Sequence, residues 1–227
     1  ETLGVNLDVS PEQIAACIKE VGLGFMFAPA HHGAMKHAVG PRRELGLRTL
    51  FNVLGPLTNP AGVKRQVLGV YDAALCEPLV EALARLGSEH ALVLHSDDGL
   101  DEISIAALTR GFELRAGDIS PIEIDPAALG HAHSSLDGLQ VETAADSANL
   151  IRGALAGDDD VVKFKARAII TLNAGAGIYV SGEVDSLASG VVAAEQAMAS
   201  GAAAQKLEAF VAFTQALVSE QGGAFAS

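Results

Sequence analysis

The fold of this chain is constrained most by a strand–helix–strand pattern between residues 67 and 95. The runs VLGVY at residues 67–71 and ALVLH at residues 91–95 predict two strands, and residues 77–86 predict the helix between them. Both runs are apolar on both faces, which is typical of parallel strands that helices cover on both sides. The pattern therefore predicts an α/β fold with a central, mostly parallel sheet flanked by helices.

Further elements are predicted on both sides of this unit. Ser10 and Gln13 fit a capping box at the start of a helix that ends at Gly22. Residues 112–114 and 122–124 fit the two strands of a hairpin. The other predicted elements are a short strand at 24–28 and helices at 30–38, 42–53, 144–156, 163–180, 185–198 and 202–219.

Length and charge limit the class of protein. The 227 residues predict one α/β domain over residues 1–221 and a frayed tail at 222–227. The net charge of −13 argues against a nucleic-acid partner, which would need clustered Lys and Arg. Cys17 and Cys76 lie in apolar helical patterns and predict free, buried thiols. With no secretion signal and no membrane-spanning apolar run, we expect a cytoplasmic protein without a membrane partner.

Positive charge is concentrated between Lys36 and Arg48, although the chain as a whole is acidic. The segment PRRELGLRTLFNVLGPLTNP, residues 41–60, places three arginines around one short apolar run with Gly/Pro turns. Such a segment can hold cationic side chains still beside a small anion. It therefore predicts a local anion-binding region.

A second polar motif, Asp97-Asp98-Gly99-Leu100-Asp101-Glu102, follows the predicted strand at residues 91–95. In open α/β sheets, ligands bind at the carboxyl ends of the strands. Two adjacent carboxylates there suit Mg²⁺, which prefers oxygen ligands, although a solvated turn has the same pattern. We interpret Asp101 and Glu102 as the metal ligands. Asp97 and Asp98 are interpreted as residues outside the first coordination shell or as solvated side chains. An anion-binding region plus a cation site indicates phosphate-ester chemistry.

These segments resemble the anthranilate phosphoribosyltransferases of tryptophan biosynthesis. The resemblance rests on PRRELGLRTLFNVLGPLTNP, on FMFAPAHHGAMKHAVGP before it, and on DGLDEIS and LNAGAGIYVSG after it. It covers essentially the whole chain and implies the fold shared with pyrimidine nucleoside phosphorylases. The implied reaction transfers phosphoribose from phosphoribosyl pyrophosphate (PRPP) to the amine of anthranilate, releasing pyrophosphate in the presence of Mg²⁺. The implied partners are these two small-molecule substrates, and the full-length protein is expected to be a homodimer.

The resemblance also implies roles for individual residues. Arg42 would bind the carboxylate of anthranilate, since a guanidinium forms bidentate pairs with carboxylates. His32 would lie in the same pocket, and Pro56 would form an apolar wall beside the aromatic ring. Asp101 and Glu102 would hold the metal bound to the pyrophosphate of PRPP. No catalytic acid or base is assigned.

Two features of the resembled family do not occur in this sequence. They are a GTGGD-type glycine loop and a KHGNR-type segment, both expected toward the N-terminus. The chain therefore looks like the C-terminal two-thirds of the family fold, and we expect it to have little activity alone. The alternatives are a pyrimidine nucleoside phosphorylase-like enzyme and a non-catalytic binding module of the same fold.

Several nearby residues receive no firm role from the sequence. His31 and His37 fit solvated or core histidines, Arg43 fits a helix surface, and the role of Arg48 stays open. Asn173 and the neighbouring glycines are expected to permit close helix packing, because they lack the strand context of a dinucleotide-binding motif.

Overall fold

A computed structural model describes residues 1–27, 61–158 and 160–223, together with residues 55, 57 and 59. The described strands are β1 Arg65–Gly69, β2 His90–Ser96, β3 Thr109–Arg115 and β4 Asp118–Ile124. The described helices are α1 Pro11–Val21, α2 Cys76–Arg85, α3 Ala144–Ala156, α4 Val161–Ser181, α5 Leu187–Ala199 and α6 Ala202–Gly223.

The four described strands form one sheet in the order β1-β2-β3-β4. β1 and β2 are parallel and are connected through α2, as the strand–helix–strand pattern predicted. β2 pairs with β3, and β3 with β4, in antiparallel register. We expected a mostly parallel sheet, but the described sheet is mixed. The chain reverses direction twice after β2. Residues 97–108 bring β3 back alongside β2, and a two-residue turn at Ala116 and Gly117, where both φ angles are positive (53° and 93°), closes β3 and β4 into the predicted hairpin.

Helices cover both faces of β2, so the molecule has three layers. Leu92 and Leu94 point to one face and pack against Leu172 and Ala176 of α4. On the opposite face, Ala91, Val93 and Leu114 pack against α2. Successive residues of β2 are thus buried on alternate faces, which explains why its sequence is a continuous apolar run.

Helices α4 and α5 approach closely through glycines. A Cβ atom on Gly190 would lie 2.2 Å from the carbonyl oxygen of Gly175, and one on Gly175 would lie 2.7 Å from the Cα of Val191. The expectation that the glycines of α4 permit close helix packing is confirmed at Gly175. Gly177 has no such neighbour, since an added Cβ there would meet open space.

Helix α1 begins and ends as its sequence predicted. Ser10 and Gln13 form the capping box, with Ser10 Oγ accepting from the Gln13 amide, and Gly22 ends the helix in the left-handed conformation. The predicted strand at 24–28 is wrong over residues 24–27, which have no regular secondary structure. The predicted helices at 30–38 and 42–53 lie outside the described residues.

Both cysteines are free and buried, as expected. Cys17 packs with Phe210 between α1 and α6, and Cys76 lies in the cluster beneath α2. Burial raises the pKa of both thiols, that of Cys76 to about 11, helped by the charge of Asp72. Both side chains are therefore packing groups that stay protonated at neutral pH.

We expected a frayed tail from residue 222 onward. Helix α6 continues to Gly223, two residues into that predicted tail. Over the ranges described above, none of the helices is long and apolar enough to cross a membrane.

Candidate functional site

The candidate site lies at the edge of the sheet where the parallel strands β1 and β2 both end. After β2 the chain turns sharply: the amide of Ser96 donates to the carbonyl of Leu100 and the amide of Gly99 donates to that of Ser96, both at 2.9 Å. Gly99 takes a φ of 90°, which glycine adopts without strain. The turn returns the chain across the sheet edge, so Asp101 and Glu102 stand where ligands of α/β sheets bind.

The first anchor of this loop is Gly69, the last residue of β1. The backbone carbonyl of Asp101 lies directly against it, and a Cβ at position 69 would sit 1.4 Å from the carbonyl oxygen of Asp101. A residue with any side chain could not occupy position 69 without moving the loop. Gly69 therefore fixes how closely Asp101 approaches the end of β1.

The second anchor is Asn173, in the middle of α4. Its Oδ1 accepts from the backbone amide of Ile103 at 2.9 Å, and its Nδ2 donates to the carbonyl of the same residue at 3.0 Å. Nδ2 also donates to the carbonyl of Ile169, one turn earlier in the helix, at 2.9 Å. One side chain thus holds both backbone groups of the fully buried residue that follows Glu102.

The role of Asn173 was missed from the sequence, where it was grouped with the helix-packing glycines. The available signal was an amide side chain within the largely apolar run ITLNAGAG. A partly buried amide favours hydrogen-bond partners, and an apolar helix face offers few of its own. Its partner lies 70 residues away in the chain, so no local pattern could identify it.

The preceding acids, Asp97 and Asp98, have other partners. Asp98 Oδ2 accepts from the Ser104 hydroxyl at 2.5 Å, which braces the loop internally. Asp97 pairs with Arg110 of β3, which also donates to Glu123 of β4 at 3.0 Å. Both acids therefore take part in structural contacts, although all four acids of the motif are exposed.

Asp101 and Glu102 form a site of concentrated negative charge. Loss of hydration and then the charge of Asp101 raise the pKa of Glu102 above its usual value, even though both residues are exposed. A bound cation would remove this repulsion. In the part of the chain that the structure describes, no three His, Cys, Asp or Glu side chains cluster as a metal site. Two carboxylates nevertheless fit Mg²⁺, which commonly takes one or two, with phosphates and water supplying the other oxygens.

The residues predicted for the acceptor side are not placed. Arg42, His32 and Pro56 lie outside the described residues, as do His31, His37, Arg43 and Arg48. Of the predicted site residues, the structure describes only Asp101 and Glu102, and the acceptor pocket stays a prediction.

Known proteins match this chain in sequence and in structure. The family described as "Glycosyl transferase family, a/b domain" matches residues 1–204. An anthranilate phosphoribosyltransferase from Teredinibacter turnerae is 56% identical over 214 residues, which cover 94% of this chain and 63% of that protein. One from Saccharophagus degradans is 57% identical over the same shares of the two chains. The chain thus spans less than two thirds of the length of these relatives.

Solved structures agree with the sequence matches. The anthranilate phosphoribosyltransferase from Thermus thermophilus superposes with a TM-score of 0.84 at 38% identity, covering 94% of this chain and 62% of that one. The enzyme from Saccharomyces cerevisiae in complex with PRPP and Mg superposes with a TM-score of 0.83 at 26% identity, covering 95% and 61%. The α/β class and the resemblance are confirmed, and the chain belongs to the glycosyl transferase family, of which it forms the α/β domain.

Proposed function

We propose that this chain is the α/β part of an anthranilate phosphoribosyltransferase, which transfers phosphoribose from PRPP to the amine of anthranilate and releases pyrophosphate in tryptophan biosynthesis. The observation that carries the proposal is the carboxylate pair Asp101–Glu102, presented at the carboxyl edge of the sheet by a doubly anchored loop. The names of the relatives, more than half of whose residues are identical over the matched region, support this reaction over others of the family.

Asp101 and Glu102 would hold Mg²⁺ in this reaction. The bound ion would neutralise negative charge that develops on the departing pyrophosphate. Support comes from the donor set of two exposed carboxylates and from the yeast relative, whose structure contains PRPP and Mg. The protein's own contribution is to hold the two carboxylates at a fixed position on the sheet edge, so that little reorganisation is needed when the substrate arrives.

The acceptor side would be formed by the segment at residues 41–60 and by His32. Arg42 would pair with the carboxylate of anthranilate, and Pro56 would flank the ring. Holding the amine near C1 of the ribose can lower the barrier by about 7 kcal/mol or more, so positioning meets much of the catalytic demand. A strong general base is therefore not required in this mechanism.

The activity would belong to a longer protein than these 227 residues. The GTGGD-type and KHGNR-type segments expected for pyrophosphate binding do not occur in the sequence. We therefore expect the 227-residue chain alone to consume anthranilate negligibly, and its robust turnover would contradict this. Cytoplasmic location and a homodimeric full-length protein complete the proposal; light scattering of that protein would test the dimer.

Replacement of Arg42 tests the acceptor side. In the full reading frame that encodes this chain, Arg42→Ala is expected to raise the KM for anthranilate about 10-fold or more, the cost of one charge-assisted pair. The KM for PRPP should stay nearly unchanged, because Arg42 would touch only the acceptor. Steady-state kinetics measures both constants. Arg43→Ala is the matched control and should change neither, whereas equal losses for both substrates in Arg42→Ala would contradict the assignment.

A substrate panel separates the proposed reaction from its competitors. The enzyme should consume anthranilate with PRPP and should not cleave pyrimidine nucleosides with phosphate. Nucleoside cleavage would identify a nucleoside phosphorylase instead. Turnover of neither pair by the full reading frame would indicate a non-catalytic binding module.

A further inference from the structure

We propose that Asn173 is a positioning residue for the metal site, setting the orientation of Glu102 through the backbone of Ile103. This rests on the proposed metal-holding role of Asp101 and Glu102. Asn173 touches neither a reacting atom nor a metal ligand side chain; it holds the peptide group that follows the second carboxylate.

The inference begins with the planarity of the peptide bond. The amide of Ile103 and the carbonyl of Glu102 lie in one rigid plane, so a hydrogen bond to that amide orients the plane on the C-terminal side of the Glu102 Cα. Asn173 Oδ1 makes this bond at 2.9 Å. Because Nδ2 also holds the carbonyl of Ile103 at 3.0 Å, that residue can neither rotate nor slide along α4.

The peptide plane on the other side of Glu102 is fixed independently. It contains the carbonyl of Asp101, which is packed against Gly69 at the end of β1. With both flanking planes held, the two backbone dihedral angles of Glu102 are determined, and with them the direction in which its side chain leaves the loop. The two anchors come from different layers, β1 and α4. The position of the carboxylate is therefore fixed relative to both the sheet and the helix.

Asn173 is itself rigid enough to act in this way. Its Nδ2 bond to the Ile169 carbonyl fixes the rotation of the amide, which assigns Oδ1 and Nδ2 to their partners. The helix that carries it is packed on α5 through Gly175 and Gly190, and its neighbour Leu172 is fully buried in the core. Motion of the loop relative to the core would therefore require breaking these side-chain bonds.

The test measures metal binding, which a purely structural role would leave unchanged. Mn²⁺ is titrated into the 227-residue chain, and the broadening of the backbone amide resonances of Asp101 and Glu102 is followed by NMR. We expect Asn173→Ala to weaken Mn²⁺ binding at least about 10-fold, the usual cost of losing an outer-shell partner. Asn173→Ser is the milder second variant: its hydroxyl can still bond one turn back in α4, but it cannot reach both groups of Ile103.

Tyr179→Phe is the matched control. It removes a hydrogen bond from the same helix, to Glu113 at 2.6 Å, near the opposite end of β2 from the loop. It should lower stability and leave the Mn²⁺ midpoint unchanged. If both Asn173 variants bind Mn²⁺ as the parent chain does, the proposal is overturned.

Two further variants separate this proposal from the proposed function. If Glu102→Gln loses Mn²⁺ binding and the Asn173 variants do not, the metal site stands and only the positioning role fails. If the parent chain and Glu102→Gln broaden identically, Asp101–Glu102 is no metal site, which overturns the positioning role along with it.

Discussion

The charged form of Glu102 is disfavoured in the folded chain, and a bound cation would offset this cost. Lost hydration and the charge of Asp101 raise its pKa in the folded chain, so folding favours the protonated carboxyl. Stability is then fully retained below the ordinary carboxyl range near pH 4 and falls as the pH rises through the folded pKa. A chain selected for stability alone would not keep two charges at this position, which is consistent with a functional site.

Glu102→Gln should therefore stabilise the metal-free chain at neutral pH. We expect a gain below about 1 kcal/mol, because exposed charges are screened by solvent. The gain should vanish near pH 4 and grow as the pH rises, since only the parent chain carries the destabilising charge. Thermal unfolding from pH 4 to 8 measures it. Asp97→Asn is the control and should show no gain, since Asp97 is paired with Arg110; a destabilised Glu102→Gln would contradict the account.

Gly69→Ala tests the other anchor of the loop. The added Cβ would collide with the Asp101 carbonyl at 1.4 Å, so either the loop or β1 must move. Overpacking of this kind costs about 1–3 kcal/mol, measured by urea denaturation. Gly177→Ala is the matched control, because an added Cβ there has open space. It should be neutral or gain about 0.5–1 kcal/mol in helix α4, and an equally benign Gly69→Ala would contradict the close approach.

At the residue scale, the sequence predicted the carboxylate pair at the sheet edge but not the two contacts that anchor its loop. Asp101 and Glu102 are adjacent residues after an apolar strand, so a local pattern reveals them. Gly69 and Asn173 act through contacts 32 and 70 residues away along the chain, and each looks locally like a strand glycine or a helix amide. Long-range contacts of single side chains leave no periodic trace in a sequence.

Among the elements, helix α4 contacts the sheet at both ends of strand β2. Near its middle Asn173 holds the metal loop, and near its end Tyr179 donates to Glu113 of β3 at 2.6 Å. Glu113 also contacts the buried His90 Nε2 at 2.8 Å, and Arg115 donates to the Tyr179 hydroxyl at 3.1 Å. This cluster lies at the opposite end of β2 from the site, so it fixes the helix without taking part in the chemistry.

Tyr179→Phe should lower the free energy of unfolding by about 1.5–3 kcal/mol, the value of a hydrogen bond to a charged group. Burial, then the hydrogen bond and charge of Glu113, raise the pKa of Tyr179. The parent chain therefore loses this stability as the pH rises through the raised pKa, above pH 10, and its advantage over the variant should shrink there. Urea denaturation at pH 7 and pH 10.5 measures the two differences. An unchanged stability at pH 7 would remove Tyr179 from the network.

The order of helices and strands could largely be predicted from the sequence. The antiparallel direction of the β2–β3 and β3–β4 pairs was harder to predict. Apolar periodicity identified β1, α2 and β2 because each buries a continuous surface. The mostly parallel sheet was an extrapolation from that one unit. The antiparallel β2–β3 pair depends on the long connection at residues 97–108, which has no hairpin pattern. The β3–β4 pair depends on a two-residue turn at Ala116 and Gly117, and Ala seldom adopts a positive φ.

On the scale of the whole molecule, the described residues would provide one part of the proposed two-sided site. The sheet edge carries Asp101 and Glu102, the proposed metal ligands, and the proposed acceptor residues are His32 and the segment at residues 41–60. The chain spans about 63% of the length of the curated relatives that it matches.

Asp101 and Glu102 are proposed to serve phosphoribosyl transfer to anthranilate. The most direct test is the initial rate of anthranilate consumption by the full reading frame with PRPP and Mg²⁺, with and without Glu102→Gln. The account predicts consumption that needs both PRPP and Mg²⁺, and a fall of about 100-fold or more in the variant, the cost of losing a group that stabilises transition-state charge. Consumption that is absent in the parent enzyme, or that Glu102→Gln leaves unchanged, would contradict it.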